Sequence, residues 1–234
     1  MLYQLNTLYN MDCMDAMRDI PDSYFELAIV DPPYGVGIGT MTYTRSCVNG
    51  IGHRKWGSMA AERKDYSAKA QWDIRPTQKY FNELMRISQR QIVWGGNYFS
   101  DMLPASKSFL VWNKRYGAKD RNCFADCELA WMSNGMGVAR VINYVYNGMI
   151  QQDMANKEER FHPTQKPIGL YREILNLYAT TADKIIDTHV GSGSSLIACI
   201  EQGYDWMGFE IDHEFCEKAQ ERIDRTLAQG RLAI

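Results

Sequence analysis

Asp31-Pro32-Pro33-Tyr34 carries the most chemistry of any tetrapeptide in this chain. It follows directly on Leu27-Ala28-Ile29-Val30, a short apolar run expected to be a buried strand. A carboxylate at the end of a parallel strand sits where open α/β sheets bind ligands. Pro32 and Pro33 fix the backbone and remove two N–H donors, so the Pro32 carbonyl can face a ligand without a competing local donor. Asp31 and that carbonyl are two acceptors, which suits the two hydrogens of one amino group. Tyr34 adds a flat face on which a base can stack. Taken alone, the four residues also fit an Asp-Pro turn that merely ends a strand.

A second constellation is Asp187-Thr188-His189-Val190-Gly191-Ser192-Gly193-Ser194-Ser195. It lies between the apolar run Lys184–Ile186 and a helical pattern. Its glycines let the backbone approach a ligand closely, and the following helix offers free N–H groups. Glu210 ends the next expected strand, where an acid can hold two ribose hydroxyls. Loop and acid together point to a nucleoside cofactor, and a dinucleotide fits them as well. A third segment, His162-Pro163-Thr164-Gln165-Lys166-Pro167, is a rigid polar turn at a helix entrance. Its place just before the cofactor loop makes it a candidate cofactor contact.

These segments need a scaffold, and the pattern supplies one. Short apolar runs alternate with helical periodicity, the signature of a mostly parallel sheet covered by helices. Strands are expected at Leu8–Asn10, Leu27–Val30, Gln91–Trp94, Ser108–Trp112, Lys184–Ile186 and Trp206–Phe209. Glu128–Met132 and Val141–Tyr146 read as a late pair, joined as a hairpin through Ser133-Asn134-Gly135. Tyr171, Ile174, Leu175 and Tyr178 share one helix face, with Pro167 suited to the first turn. Asp212 is placed to cap a last helix whose apolar side carries Phe215, Ala219, Ile223 and Leu227. The expected fold class is α/β, a single doubly wound, mostly parallel, Rossmann-like sheet with a late antiparallel strand.

Composition bounds the function. The chain has 234 residues, 45% hydrophobic and 23% charged, enough for one sizeable core. No apolar run approaches a membrane span, and Met1–Asn10 lacks the basic start and apolar stretch of a signal peptide. A cytoplasmic chain is expected. Six scattered cysteines offer no paired metal spacing, so free thiols and no metal are expected. The net charge of −2 speaks against a purely electrostatic nucleic-acid binder, yet its distribution is uneven. Residues 35–76 hold seven Lys or Arg against three acids. This long aperiodic stretch is expected to be a mobile loop. Arg45, Arg54, Lys55, Arg63 and Lys64, with Lys114, Arg115, Lys119 and Arg121, are the candidate DNA-facing residues. A merely solvated loop is the alternative, with recognition then in a small insert at 133–160.

Together the motifs resemble the beta-class DNA amino-methyltransferases, which make N6-methyladenine or N4-methylcytosine. The resemblance spans nearly the whole chain. It runs from Tyr9-Asn10-Met11-Asp12 through Asp31–Tyr34 and His162–Pro167 to Asp187–Ser195 and Gly208-Phe209-Glu210-Ile211-Asp212. The permuted order, with the tetrapeptide ahead of the glycine loop, is that of this family. It implies that the chain starts in the base-binding half and ends in the cofactor half, with its termini near each other.

The resemblance implies S-adenosylmethionine as cofactor and DNA as partner; a homodimer is left open. Asp187 and Gly191, Ser192, Gly193 and Ser194 would hold the methionine part, Glu210 the ribose and Asp12 the adenine. Thr164 and Lys166 would lie near the cofactor carboxylate. Asp31, Pro32, Pro33 and Tyr34 would hold the target base, with Asp31 also bordering the cofactor. The family usually has Phe in place of His189 and Thr in place of Ser194; His189 would cover the cofactor edge-on. Asp31 and the Pro32 carbonyl would localise the lone pair of an exocyclic amine for in-line methyl transfer, without a covalent enzyme intermediate. Such a base has to be flipped out of the duplex. Asp at position 31 favours adenine N6, since Ser is commoner there in cytosine enzymes; cytosine N4 is the near alternative. A nicotinamide-dependent oxidoreductase would explain Gly191, Gly193 and Glu210 but leave Asp31–Tyr34 idle, and Leu196 stands where its fingerprint needs glycine. An inactive DNA-binding relative is the third alternative, against which the intact Asp31 and Tyr34 argue.

Overall fold

The computed structural model describes residues 2–37, 73–117, 125–147, 150–162 and 164–232. Among them one eight-stranded sheet dominates. Its strands are β1 (Thr7–Asn10), β2 (Phe25–Val30), β3 (Ser88–Trp94), β4 (Phe109–Asn113), β5 (Cys127–Met132), β6 (Arg140–Asn143), β9 (Lys184–Asp187) and β10 (Asp205–Glu210). A two-stranded ribbon of β7 (Tyr146–Asn147) and β8 (Ile150–Gln151) lies apart. The order across the sheet is β1-β10-β9-β2-β3-β5-β4-β6. Every neighbouring pair is parallel except those made by β5, which runs antiparallel to both β3 and β4.

Alternation along the strands explains the two layers. In β2, Leu27 and Ile29 face one side and Ala28 and Val30 the other, and all four are buried. The first side packs on α3 (Ile168–Tyr178), α4 (Ser194–Gln202) and α5 (His213–Leu232) through Leu170, Ile174, Leu196, Ile197, Ala219 and Ile223. The second side packs on α1 (Cys13–Met17) and α2 (Gln78–Ile87) through Met17, Phe81, Leu84 and Ile87. Buried on both faces, the central strands read as continuous apolar runs. The chain winds outward from β2 to β3 in one direction and from β9 to β10 in the other. The switch point therefore lies between β2 and β9, where open α/β sheets bind ligands.

The sheet carries the expected class and corrects some of its details. The hairpin expected between Glu128–Met132 and Val141–Tyr146 does not form. Both edges of β5 are already taken by β3 and β4, so β6 adds in parallel to the outer edge of β4. The run Val141–Tyr146 breaks after Asn143, and Tyr146 starts the separate ribbon. Pro167 is the N-cap of α3 and not a residue of its first turn. Asp212 does cap α5, accepting from the Phe215 amide at 3.0 Å. Leu227 is 40% exposed, unlike the buried Phe215, Ala219 and Ile223 of the same helix. β1 pairs with β10, so the first and last strands are neighbours. Gly35 and Asp73 are joined, the Gly35 N–H donating to Asp73 Oδ1 at 2.8 Å. Cys13, Cys127, Cys199 and Cys216 are free thiols. Among the described residues no helix is long and apolar enough to cross a membrane.

Candidate active site

β2, β9 and β10 end side by side, and they bring the separate motifs to one cleft. Its floor and walls include Asp31, Pro32, Pro33 and Tyr34 after β2, and His189, Gly191, Ser192 and Ser194 after β9. Glu210 closes it from the end of β10, and Thr164 and Lys166 from the turn before α3. The space measures about 760 Å³ out to open solvent. Residues separated by up to 179 positions thus share one wall because three parallel strands stop at the same level.

The half of the cleft after β2 is ordered by Asp31. Its Oδ1 accepts from the Tyr34 hydroxyl at 2.7 Å, and its Oδ2 accepts from the Lys166 ammonium. Burial pushes the Asp31 pKa up, while the neighbouring Lys166 pulls against that rise. Tyr34 is seated by a glycine. Gly95 has φ +67°, and a Cβ there would come within 2.2 Å of the Tyr34 ring. Tyr98 stacks on Tyr34 with ring centroids 4.9 Å apart and an interplanar angle of 21°. One face of Tyr34 is therefore covered by a second, partly exposed aromatic ring. No motif announced Gly95 or Tyr98, although Gly95-Gly96 directly after an apolar run is a legible turn signal.

The half of the cleft after β9 is a tight loop. Gly191 and Gly193 adopt φ +53° and +80°, which favour glycine. A Cβ on Gly191 would press on the His162 ring at 3.3 Å, and one on Gly193 would meet Ala219 of α5 at 3.2 Å. Asp187 and Gly193 do not line the cleft. Asp187 spends its carboxylate inside the loop, accepting from the His189 amide at 3.0 Å and from the Ser195 hydroxyl. Burial pushes its pKa up to about 7. Glu210 accepts from the Gly191 amide at 2.7 Å and the Asp212 amide at 2.9 Å, so it shapes the loop as well as lining the cleft. Asp12 does not line the cleft either; it caps α1 through the Met14 amide at 2.8 Å.

His189 replaces an expected aromatic ring with another flat ring. It packs edge-on against Tyr80 at 5.1 Å, and Thr188 Oγ1 lies 3.0 Å from its Nδ1. Burial lowers its pKa to about 4, so the imidazole is neutral near pH 7. The cleft also draws on His162 and Gln165 of the candidate cofactor turn, and on Tyr171, Ile211 and Phe215, which were not singled out as site residues. Ile211 directly follows Glu210 and Phe215 lies in the first turn of α5; the 66% exposure of Ile211 is a signal no periodicity carries.

Lys166 departs most from expectation. It was expected beside a cofactor carboxylate; it lines the cleft, and its ammonium lies between Asp31 and Glu128. Among the candidate DNA-facing residues, Arg45, Arg54, Lys55, Arg63, Lys64, Lys119 and Arg121 lie outside the described residues. The two that are described turn inward. Lys114 pairs with Glu128 at 2.9 Å and Arg115 with Asp126 at 2.9 Å, their side chains 18% and 5% exposed. As placed, neither offers its charge to solvent.

A doubly wound sheet with an Asp-Pro-Pro-Tyr turn and a glycine loop on adjacent strand ends defines a Rossmann-like methyltransferase class. A family model described as DNA methylase, of the N6/N4 type, matches residues 111–221. A relative named type II methyltransferase M2.MboI, from Moraxella bovis, is 22% identical over 92% of this chain and 86% of its own length. The solved structure of an M1.HpyAVI–SAM complex aligns with a TM-score of 0.56 at 16% identity, covering 92% of this chain and 98% of that one. PvuII DNA methyltransferase, titled cytosine-N4-specific, aligns with a TM-score of 0.57 at 12% identity, covering 95% and 91%.

Proposed function

We propose that this chain is an S-adenosylmethionine-dependent DNA methyltransferase acting on the N6 amino group of adenine in a flipped-out base. The observation that carries the proposal is the meeting of Asp31 and Tyr34 with the glycine loop and Glu210 in one cleft at the switch point. The cleft fits the cofactor by its own chemistry. Gly191 leaves room that a Cβ would fill against His162, Glu210 is a ribose-type acceptor, and neutral His189 adds no positive charge beside a cationic sulfonium. The bound cofactor supplies an activated methyl group. Thr164, Ser192 and Ser194 offer polar contacts to its methionine end, and Ile211 and Phe215 offer apolar cover to a nucleoside.

The protein's own part is positioning. Asp31 and the Pro32 carbonyl accept the two N–H groups of the amine and localise its lone pair toward the methyl donor. Tyr34 holds Asp31 in place through its hydroxyl. Once the nitrogen is methylated it carries one proton too many, and Asp31, whose pKa is raised by burial, is the nearest acceptor. Adenine is preferred over cytosine on the strength of Asp at position 31. The same fold occurs in an enzyme titled cytosine-N4-specific, so the choice rests on that residue and not on the architecture. DNA is the partner, and a pair of copies is compatible with β6 standing at an edge of the sheet among the described residues. Nucleoside analysis of DNA from cells expressing the protein tests the proposal. N6-methyladenine is expected; N4-methylcytosine in its place would overturn the base assignment, and unmodified DNA the whole reading.

A further inference from the structure

Three ionisable side chains from separate elements meet at the base-binding end of the cleft: Asp31 after β2, Glu128 on β5 and Lys166 before α3. Lys166 Nζ donates to Asp31 Oδ2 and lies 3.4 Å from both Glu128 Oε2 and the Tyr34 hydroxyl oxygen. Its side chain is 2% exposed, and the Trp94 ring centroid lies 5.0 Å from the ammonium. The other Asp31 oxygen accepts from Tyr34 at 2.7 Å. Glu128 meanwhile accepts from Lys114 at 2.9 Å through Oε1, which leaves Oε2 turned to Lys166. Each oxygen of Asp31 thus already holds a donor, and one of the two is an amine nitrogen. The ammonium takes the kind of bond that a target amino group has to make.

We infer that Lys166 is a placeholder for the target amine, and that Glu128 is the anion that receives the Lys166 ammonium when the base takes its place on Asp31. The inference rests on the methyltransferase reading above and deepens it by giving Glu128 and Lys166 positioning roles. A buried ammonium cannot simply be let go, because a buried charge without a partner is strongly destabilising. Glu128 removes that obstacle. Its Oε2 is within ion-pair reach already, and closing to a charge-assisted bond takes a shift of about half an ångström. The exchange then replaces one ammonium–carboxylate bond by another while the amine gains Asp31. Burial would raise the Glu128 pKa, but Lys166 and Lys114 outweigh it and hold the carboxyl below its ordinary range, so it is an anion ready to accept.

Steady-state methylation of unmethylated plasmid DNA, with calorimetry of S-adenosylmethionine binding, tests this. Glu128→Gln leaves Lys166 bound to Asp31, so the KM for DNA should rise about threefold or more while cofactor affinity holds. Adding Lys166→Met removes the competitor, and the KM of the double variant should fall below that of Glu128→Gln alone. A merely structural ion pair predicts the opposite, a double variant at least as impaired as the single one. Should Glu128→Gln fail to fold, Lys166→Met alone decides: its KM for DNA is expected to be no higher than that of the unaltered protein. A rise there, a smaller change than threefold in Glu128→Gln, or a double variant no better than the single would overturn the inference. An unaltered protein that binds the cofactor yet methylates no DNA would overturn both this inference and the function beneath it.

Discussion

Asp31 and Asp187 show how two buried carboxylates on adjacent strands come to do different work. Asp31 lines the cleft, and its oxygens accept from two side-chain donors, a phenol and an ammonium. Asp187 is closed off by the Ser195 hydroxyl and the His189 amide. Asp31→Ala should therefore lower methyl transfer by about 10²-fold or more, the scale of removing a key polar stabiliser, with S-adenosylmethionine affinity largely kept. Activity within a few-fold of the unaltered protein would remove Asp31 from the chemistry. Asp187 makes a prediction about pH. Its pKa is raised in the folded state to about 7, from an ordinary value of 3.8. A raised carboxyl favours folding below its unfolded pKa, and that contribution is lost as pH rises through the folded pKa. Asp187→Asn should thus raise the Tm most above pH 7, with the gain shrinking toward pH 4; a pH-independent Tm difference would contradict the burial argument.

At the scale of elements, α5 does more than cover the sheet. Its Arg222 donates to the Ser192 carbonyl and lies 3.3 Å from the Ser194 hydroxyl, while Glu158 pairs with it at 3.4 Å. Glu158 in turn accepts from the Ile168 amide at the start of α3, at 2.8 Å. One arginine thereby ties the last helix to the glycine loop and, through Glu158, to the helix that follows the Lys166 turn. Arg222→Ala should destabilise the fold by roughly 1.5–3 kcal/mol, the range for hydrogen bonds to charged groups. It should also weaken the cofactor, since Ser192 and Ser194 line its cleft. Urea unfolding and calorimetry read the two effects separately. Unchanged cofactor affinity would mean that the loop keeps its shape without α5.

For the whole molecule the open question is where a duplex lies. The chain is slightly acidic overall, and its basic residues concentrate at 35–76. Gly35 and Asp73 are bonded to each other beside Tyr34, so that segment begins and ends at the mouth of the base-binding half. Lys114 and Arg115 turn inward to Glu128 and Asp126, so they are weaker candidates than sequence position suggested. The DNA-facing role is proposed for the first segment. Reversing the charge of Arg54, Lys55, Arg63 and Lys64 together should weaken duplex binding and flatten its salt dependence, which runs at a slope near −0.9 per phosphate contacted. Equal affinity with an unchanged slope would move the DNA elsewhere.

Sequence alone determined the layered α/β plan, most strand positions, the tetrapeptide and the glycine loop. These are local features: apolar alternation, proline and glycine chemistry, and residues adjacent in the chain. The strand pairing of the second half and the inward turn of Arg115 came from tertiary structure. So did the partnership of Asp31, Glu128 and Lys166, which spans 135 positions of chain. Nothing in the neighbourhood of Glu128 marks it, since a single acid at the start of a strand looks like any solvated edge. Only the folding of β5 between β3 and β4 carries it beneath the cleft. Charge pairing of this kind depends on which distant elements become neighbours, and no local pattern encodes that.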